Sequence, residues 1–510
     1  MKRLFKNTSW TSAGVLFALI CGSPAVADDT ELLLVSPNLA VTPKPNILFI
    51  IDSSGSMDTL EETREIYDYT QPYPGGAEPC DANYLYWSEL KSIPPSCSDS
   101  NVKRFLKTSF LCAEAKRRIE GIGSYRDTFV QFRDGTSGSP GGLDATRWQQ
   151  LEPGNAGDIV ECKTDRTQHG DGVDASAVYA QRGGNITEPF TDDQNLEVSW
   201  TSWPTNQSIT VYDGNYLNYR ENPTLVDRQR IDIVKDVSKA VLNSISDVNV
   251  GIMRFNDNEG GPVILDIQDL NTNRTAIVNT INGIGADGAT PVSEAFYEAA
   301  LFWRGMPANY GESINEHDTD PAALSSTDPA AEVYEAPQTP VCAKNFNVVL
   351  TDGRPNNNED TITLVNNLPD WFATNGYTGC TFTNDGDCLD DIANYLHKVD
   401  ISTDTGEQNV TTHTIGFAID LEILENTATR GGGDYFLADD VESLTIALLE
   451  IVNDITDRSL SFAAPAVAVN TFNRTQNLNN LYMTTFAARE KFHWPGNLKK
   501  YGIATGVIVE

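Results

Sequence analysis

Asn46-Ile47-Leu48-Phe49-Ile50-Ile51 runs directly into Asp52-Ser53-Ser54-Gly55-Ser56-Met57. An unbroken apolar run of this length, bounded by turn residues, reads as a strand buried on both faces. In open α/β sheets, ligands bind in the crevice beyond the carboxyl ends of such strands. Asp52, Ser54 and Ser56 stand at that end, and Gly55 permits the tight turn. A carboxylate and two hydroxyls this close in sequence form a hard-oxygen set, suited to Mg²⁺, Mn²⁺ or Ca²⁺ rather than zinc.

Further along, residues 345–350 repeat the pattern and end in Thr351-Asp352-Gly353. From residue 248 onward, strands alternate with helices. Residues 248–255, 263–267, 411–418 and 435–438 read as strands. Residues 273–281, 291–303, 360–372, 388–399, 421–429 and 441–455 read as helices. Ile231, Val234, Val237, Val241 and Ile245 recur at helical spacing and predict a helix over 225–245. The fold class is therefore α/β, a doubly wound and mostly parallel sheet with helices on both faces. Thr290 reads as the N-cap and Pro291 as N1 of the helix they open. Residues 305–341, polar and rich in Pro and Ala, read as a mobile excursion.

Between the first strand and the helix at 225 lies an insertion, about residues 58–222. It carries four cysteines and Trp87, Trp148, Trp200 and Trp203. That aromatic content predicts a folded, disulfide-stapled subregion rather than a linker. After residue 457 the texture changes: residues 459–471 and 481–488 read as strands with no helix between them. A β-rich unit begins there and stops at Glu510, as expected of a truncated product or a fragment of a longer frame.

The chain has 510 residues, room for two to four domains, and a formal net charge of −35 from 71 acidic and 36 basic residues. That balance argues against nucleic acid or an anionic membrane surface as partner. Lys2, Arg3 and Lys6, an apolar core from Val15 to Cys21, and Ala25-Val26-Ala27 form a cleavable export signal over 1–27, with a linker over 28–45. The apolar core is too short to span a bilayer, and bulky Ile20 before Cys21 does not fit a lipoprotein site. Removing Cys21 from the eight cysteines leaves Cys80, Cys97, Cys112, Cys162, Cys342, Cys380 and Cys388 as disulfide candidates. The first four allow three pairings, Cys380 and Cys388 could close a small loop, and the odd total leaves at least one thiol free or paired outside this chain.

D-x-S-x-S at 52–56, G-x-T-P at 288–291 and T-D-G at 351–353, each beside its expected element, closely resemble the von Willebrand factor A domain over residues 46–457. The resemblance implies a metal-ion-dependent adhesion site. Ser54, Ser56 and Thr290 would offer hydroxyls, Asp52 and Asp352 would bind directly or through waters, and a partner's carboxylate would complete the shell. The same residues could instead serve only as turn and capping residues of a metal-free variant. Asn215-Tyr216-Leu217-Asn218-Tyr219 looks like a segment of exported A-domain proteins. Trp494-Pro495-Gly496-Asn497-Leu498-Lys499-Lys500-Tyr501 resembles the signature of PilY-type type IV pilus proteins, at the start of their β-propeller. The resemblance implies a pilus-tip adhesin that promotes pilus assembly. Its partners would be pilins or minor pilins and a host or surface ligand, and its location the periplasm, outer surface and pilus tip. Residues 458–510 would begin the propeller.

An alternative is a force-sensing surface protein whose A domain signals contact without a metal-bridged ligand. Enzymatic chemistry is not expected, since H-E-x-x-H, G-x-S-x-G and P-loop motifs are missing and the five histidines have no ligand spacing. His413 reads as a packed or edge residue of a strand rather than a catalytic base. Asn384-Asp385-Gly386-Asp387 with Asp390 and Asp391 reads as a solvated helix N-terminus, and Asp171 and Asp174 carry as little.

Overall fold

The computed structural model describes residues 43–509 except 90–92, 100, 134–146, 154–156, 166–177, 180–189, 192–196, 199, 201–206, 257, 312–318, 326–331, 338–342, 357–360, 376–379, 381–387, 403–406, 460–465, 468–479, 487–495 and 505–506. The export signal, most of the linker, Asp171, Asp174, Cys342, Trp494 and the 384–387 cluster lie outside the described residues.

The opening run forms β1 (Asn46–Ile51), every residue of which is buried. It lies between two parallel neighbours, β4 (Asn249–Arg254) and β6 (Asn345–Thr351), in the register Ile51 to Arg254 and Ile51 to Leu350. The six-stranded order is β5-β4-β1-β6-β7-β8, with β5 at Val263–Asp269, β7 at Val410–Phe417 and β8 at Gly432–Ala438. β5 alone is antiparallel; every other pairing is parallel.

Alternation along β1 divides the core. Ile47, Phe49 and Ile51 join a cluster with α1 (Arg230–Ser244), α2 (Leu270–Gly283) and α6 (Val441–Ser459), through Val237, Ile277 and Leu448 among others. Leu48 and Ile50 join the opposite cluster with α3 (Val292–Trp303), α4 (Leu389–Lys398) and α5 (Glu422–Arg430). Strand neighbours are thus covered on both faces, and a continuous apolar run is the sequence that such a strand requires. At the amino ends of the strands, Asn249 Nδ2 donates to Asn46 Oδ1 and Asn46 Nδ2 donates to Asn345 Oδ1, both at 2.9 Å. The carboxyl ends are left for the candidate site.

Several expectations are corrected. Residues 225–229 are strand, not helix: β3 (Leu225–Gln229) pairs antiparallel with β2 (Leu60–Arg64), and α1 starts only at Arg230. The helix expected over 360–372 is broken into Thr361–Val365 and Trp371–Asn375, with Asp370 at φ 63° between them. The described parts of 305–341 are packed, not an excursion. Buried Glu298 on α3 accepts from the backbone N–H groups of Asn309, Tyr310 and Gly311 and from the Tyr334 hydroxyl. Asp390 and Asp391 are buried and paired with Arg430 from α5, each at 2.6 Å, rather than solvated.

β2 and β3 form a two-stranded stem, and the chain between them builds a second, antiparallel sheet. Its order is Arg104–Leu106, Tyr84–Ser88, Ser208–Asp213, Ser124–Arg133, Arg147–Gln150, and Val160–Cys162 also pairs with Ser124–Arg133. Disulfides join Cys80 to Cys97 and Cys112 to Cys162, and a third joins Cys380 to Cys388, the residue before α4. The Asn215–Tyr219 segment lies in a helix, Gly214–Glu221, that clamps residues 71–80. Asn215 accepts from Tyr73 N and donates to Gln71 O, while Asn218 accepts from Cys80 N and donates to Cys80 O. Its tyrosines, Tyr216 and Tyr219, pack on Tyr67. Beyond α6, Ala466–Val467, Asn480–Phe486, Gly496–Ala504 and Val507–Val509 form a four-stranded antiparallel sheet.

Candidate functional site

At the carboxyl end of β1 the ladder continues one step, Asp52 N donating to Leu350 O at 2.9 Å. The chain then turns through a single 3₁₀ turn, Gly55–Asp58, anchored by buried Met57. Two backbone bonds fasten this turn to the loop before α3: Asp287 N to Ser53 O at 2.8 Å and Gly55 N to Gly288 O at 3.0 Å. Gly288, at φ 81°, takes a left-handed conformation that L side chains disfavour. Thr290 is thereby brought beside Ser56, although 234 positions separate them in numbering (290 − 56).

Asp52 is fully buried. Its Oδ1 accepts from Ser54 N at 2.7 Å, and its Oδ2 accepts from the Thr351 hydroxyl at 2.5 Å and from Asp352 N at 3.3 Å. Burial first, and Asp352 second, push its carboxyl up to about 6. The Ser56 hydroxyl donates to Asp352 Oδ1 at 2.6 Å and lies 2.9 Å from Ser54 Oγ. A serine has one hydroxyl proton, so Ser54 is the donor in that second contact.

Thr290 is not the cap that its sequence context suggests. Pro291, one residue later, occupies the N-cap position. Its backbone is held instead by Asn356, whose Oδ1 accepts from Thr290 N at 2.8 Å and whose N donates to Thr290 O at 3.0 Å. A Cβ added to Gly353 would lie 3.0 Å from Thr290 Oγ1 and 3.3 Å from Ser56 Oγ. Both hydroxyls therefore border the space that glycine leaves open.

All five sequence-predicted residues, Asp52, Ser54, Ser56, Thr290 and Asp352, meet at this strand end. Three residues were not foreseen. Asn356 holds Thr290, and Arg230 donates through Nη1 to Asp352 Oδ2 at 3.0 Å while also meeting Glu61 Oε2 at 3.1 Å. A signal for Arg230 was present: a cation in the first turn of a helix opposes the helix dipole and needs a compensating anion.

The donor set fits a hard divalent cation. It offers hydroxyl and carboxylate oxygens only, and Gly353 keeps the space beside the Ser56 and Thr290 hydroxyls clear. Asp52 and Asp352 set two carboxylates at the strand end, and the one guanidinium beside them, Arg230, is shared with Glu61, so negative charge is left for a cation to match.

Two other clusters do not form metal sites. Cys112, Cys162 and Asp165 converge, but the two sulfurs are bonded to each other. His413, Asp434 and Asp454 also converge. Nδ1 of His413 accepts from Asp434 N at 3.1 Å, so the proton of the neutral ring sits on Nε2, which faces Asp454 at 3.5 Å. Nε2 so protonated cannot ligate, and of the packed and edge positions open to it His413 takes the packed one.

Residues 84–222, the greater part of the insertion, match a family described as Domain of unknown function (DUF8355). Compared with curated proteins, the chain matches none. Solved structures similar to it include the PilB minor pilin from Streptococcus sanguinis, at 13% identity over 79% of this chain and 93% of that one, with a TM-score of 0.26. A von Willebrand factor type A protein from Catenulispora acidiphila is 14% identical over 54% of this chain and 52% of that one, with a TM-score of 0.25. A conserved hypothetical protein, BatB from Bacteroides thetaiotaomicron, is 12% identical over 44% of this chain and 88% of that one, with a TM-score of 0.26. At such scores the functional reading rests on the geometry of the site itself. No helix among the described residues is long and apolar enough to cross a membrane.

Proposed function

We propose that residues 46–457 are a von Willebrand factor A-type domain, with the 58–222 insertion after its first strand, that binds a partner's carboxylate through a divalent cation. The observation that carries this is that Asp52, Ser54, Ser56 and Asp352 are joined by direct hydrogen bonds while the Ser56 and Thr290 hydroxyls border the space that Gly353 leaves open. Ser54, Ser56 and Thr290 would offer hydroxyl oxygens to Mg²⁺, Mn²⁺ or Ca²⁺, with Asp352 and Asp52 as the carboxylates. A bound cation supplies an electrophilic centre, and few direct carboxylates leave it able to take one more from a partner. The chain's own part is to hold three hydroxyls and two carboxylates in place before the partner arrives.

The setting we infer is the exported type IV pilus. The leader-like residues 1–27, the disulfides and the 494–501 signature support it. Pilins or minor pilins, and a surface or host ligand, would be the carboxylate donors. Residues 458–510 would open a PilY-type propeller, and the role would be adhesion and assembly rather than catalysis.

Calorimetric titration of the exported chain with Mg²⁺, Mn²⁺ and Ca²⁺ tests the reading, together with binding to immobilised pilin with and without EDTA. Wild type should bind a cation stoichiometrically and bind pilin only when it is present, and Asp52→Ala should lose both while remaining exported. Pilin binding that survives both EDTA and Asp52→Ala would refute the cation bridge.

A further inference from the structure

The chain enters the inserted domain through β2 and leaves it through β3, and a charged residue from each crossing stands at the candidate site. Arg230 follows β3 directly, its backbone N donating to Thr59 O at 3.0 Å. Its guanidinium spans two carboxylates: Nη1 reaches Asp352 Oδ2 at 3.0 Å, and Nη2 and Nε reach Glu61 Oε2 at 3.1 and 3.2 Å. The Asp352 side chain is fully buried, so the guanidinium is the charge that balances it. With Ser56 on Oδ1 and Arg230 on Oδ2, both oxygens of Asp352 are engaged.

We propose that Arg230 is a resident counter-cation that competes with the divalent ion for Asp352, with Glu61 as the anion onto which it withdraws. This rests on the metal-dependent reading given above. A divalent ion drawing on Asp352 weakens the Arg230 contact by competition for the same carboxylate and by repulsion between like charges. Glu61 keeps the displaced guanidinium paired, so the exchange leaves no uncompensated charge. The affinity of the site for its cation is therefore set by two residues at the root of the inserted domain, and the ion's arrival redistributes a contact held by that root.

The two residues have opposite predicted effects, which separates this role from simple proximity. Arg230→Gln removes the competitor and should tighten cation binding by about tenfold or more, the scale of one charge-assisted hydrogen bond. Glu61→Gln removes the withdrawal point and should weaken binding. Because Glu61 acts through Arg230, its effect should vanish in the Arg230→Gln background.

The measurement is calorimetric titration of the exported chain and its variants with Mg²⁺, Mn²⁺ and Ca²⁺, alongside thermal melts in EDTA. Tightening in Arg230→Gln, with a null effect of Glu61→Gln on top of it, supports the proposal. If wild type binds, Asp52→Ala does not, and Arg230→Gln stays within about twofold of wild type, the counter-cation role is overturned while the metal site stands. A Glu61→Gln loss that persists unchanged in the double variant also overturns it. If neither wild type nor Arg230→Gln binds any of the three ions, both readings fall. Should Arg230→Gln not fold, Arg230→Lys decides instead: one ammonium cannot fork across both carboxylates, so tightening of smaller amplitude is required.

Discussion

The Ser56 hydroxyl donates to Asp352 Oδ1 at 2.6 Å, tying the turn after β1 to the end of β6. This bond, with the Ser54 contact beside it, orders the hydroxyl side of the candidate site. Ser56→Ala removes an oxygen ligand and the tie together. A neutral-to-carboxylate bond of this kind contributes about 1–3 kcal/mol. Cation affinity should fall at least about tenfold, whereas the melting temperature in EDTA should move by only a few degrees. Titration calorimetry and a melt on the same sample distinguish the two.

Gly353→Ala probes the gap without deleting any ligand. The added methyl would sit 3.0 Å from Thr290 Oγ1 and 3.3 Å from Ser56 Oγ, tighter than ordinary contact. Secondary structure by circular dichroism should be retained while cation binding is lost. Retained affinity in a folded Gly353→Ala variant would place the cation elsewhere.

The pH dependence in EDTA has a definite sign. Asp52 is raised to about 6 from an ordinary 3.8 by burial and by Asp352. A carboxyl raised in the fold stabilises it while protonated. That contribution is fully present below about 3.8 and is lost as pH climbs through about 6, a change of about 3 kcal/mol. Metal-free protein should therefore lose urea resistance across this window relative to Asp52→Asn. Saturating Mg²⁺ should reverse the trend, because a bound cation favours the ionised carboxylate. Parallel wild-type and Asp52→Asn curves in EDTA would contradict this assignment.

The strands were legible because their cause is local. The 46–51 run has no polar residue after Asn46, and only a strand covered on both faces accommodates it. Thr290 and Asp352 were legible because G-x-T-P and T-D-G sit at element ends. Arg230 carried only the general hint of a cation in a helix's first turn and Glu61 none, since a lone charge on a helix or hairpin usually faces water and their partners come from distant chain. Residues 225–229 misled for the same reason: they adjoin the helical spacing that begins at Ile231, but pairing with the distant residues 60–64 makes them strand. Asp390 and Asp391 looked solvated because Arg430, their partner, lies 40 residues further along. Thr290 looks like a cap from its position before Pro291, although the N-cap is Pro291 and the Thr290 hydroxyl borders the space beside Gly353.

Glu298 offers a test remote from the cation. It is fully buried on α3 and receives three backbone N–H groups from residues 309–311 and the Tyr334 hydroxyl at 2.6 Å. These donors keep the carboxylate hydrogen-bonded although burial raises its pKa. Glu298→Ala would leave the three N–H groups without their acceptor, those of Tyr310 and Gly311 buried, each costing about 1–3 kcal/mol less whatever water recovers. A loss of at least about 3 kcal/mol in urea unfolding is expected. Amide exchange should rise selectively over the described residues 305–311 and 332–337, which Glu298 and Tyr334 hold against α3. Tyr334→Phe should give a smaller loss, about 1–2 kcal/mol, because the backbone donors remain. Cation affinity should be unchanged in both variants, because the Glu298 cluster shares no residue with the strand-end site. Exchange that rises evenly over the whole sheet would show that these residues are not a separately held unit.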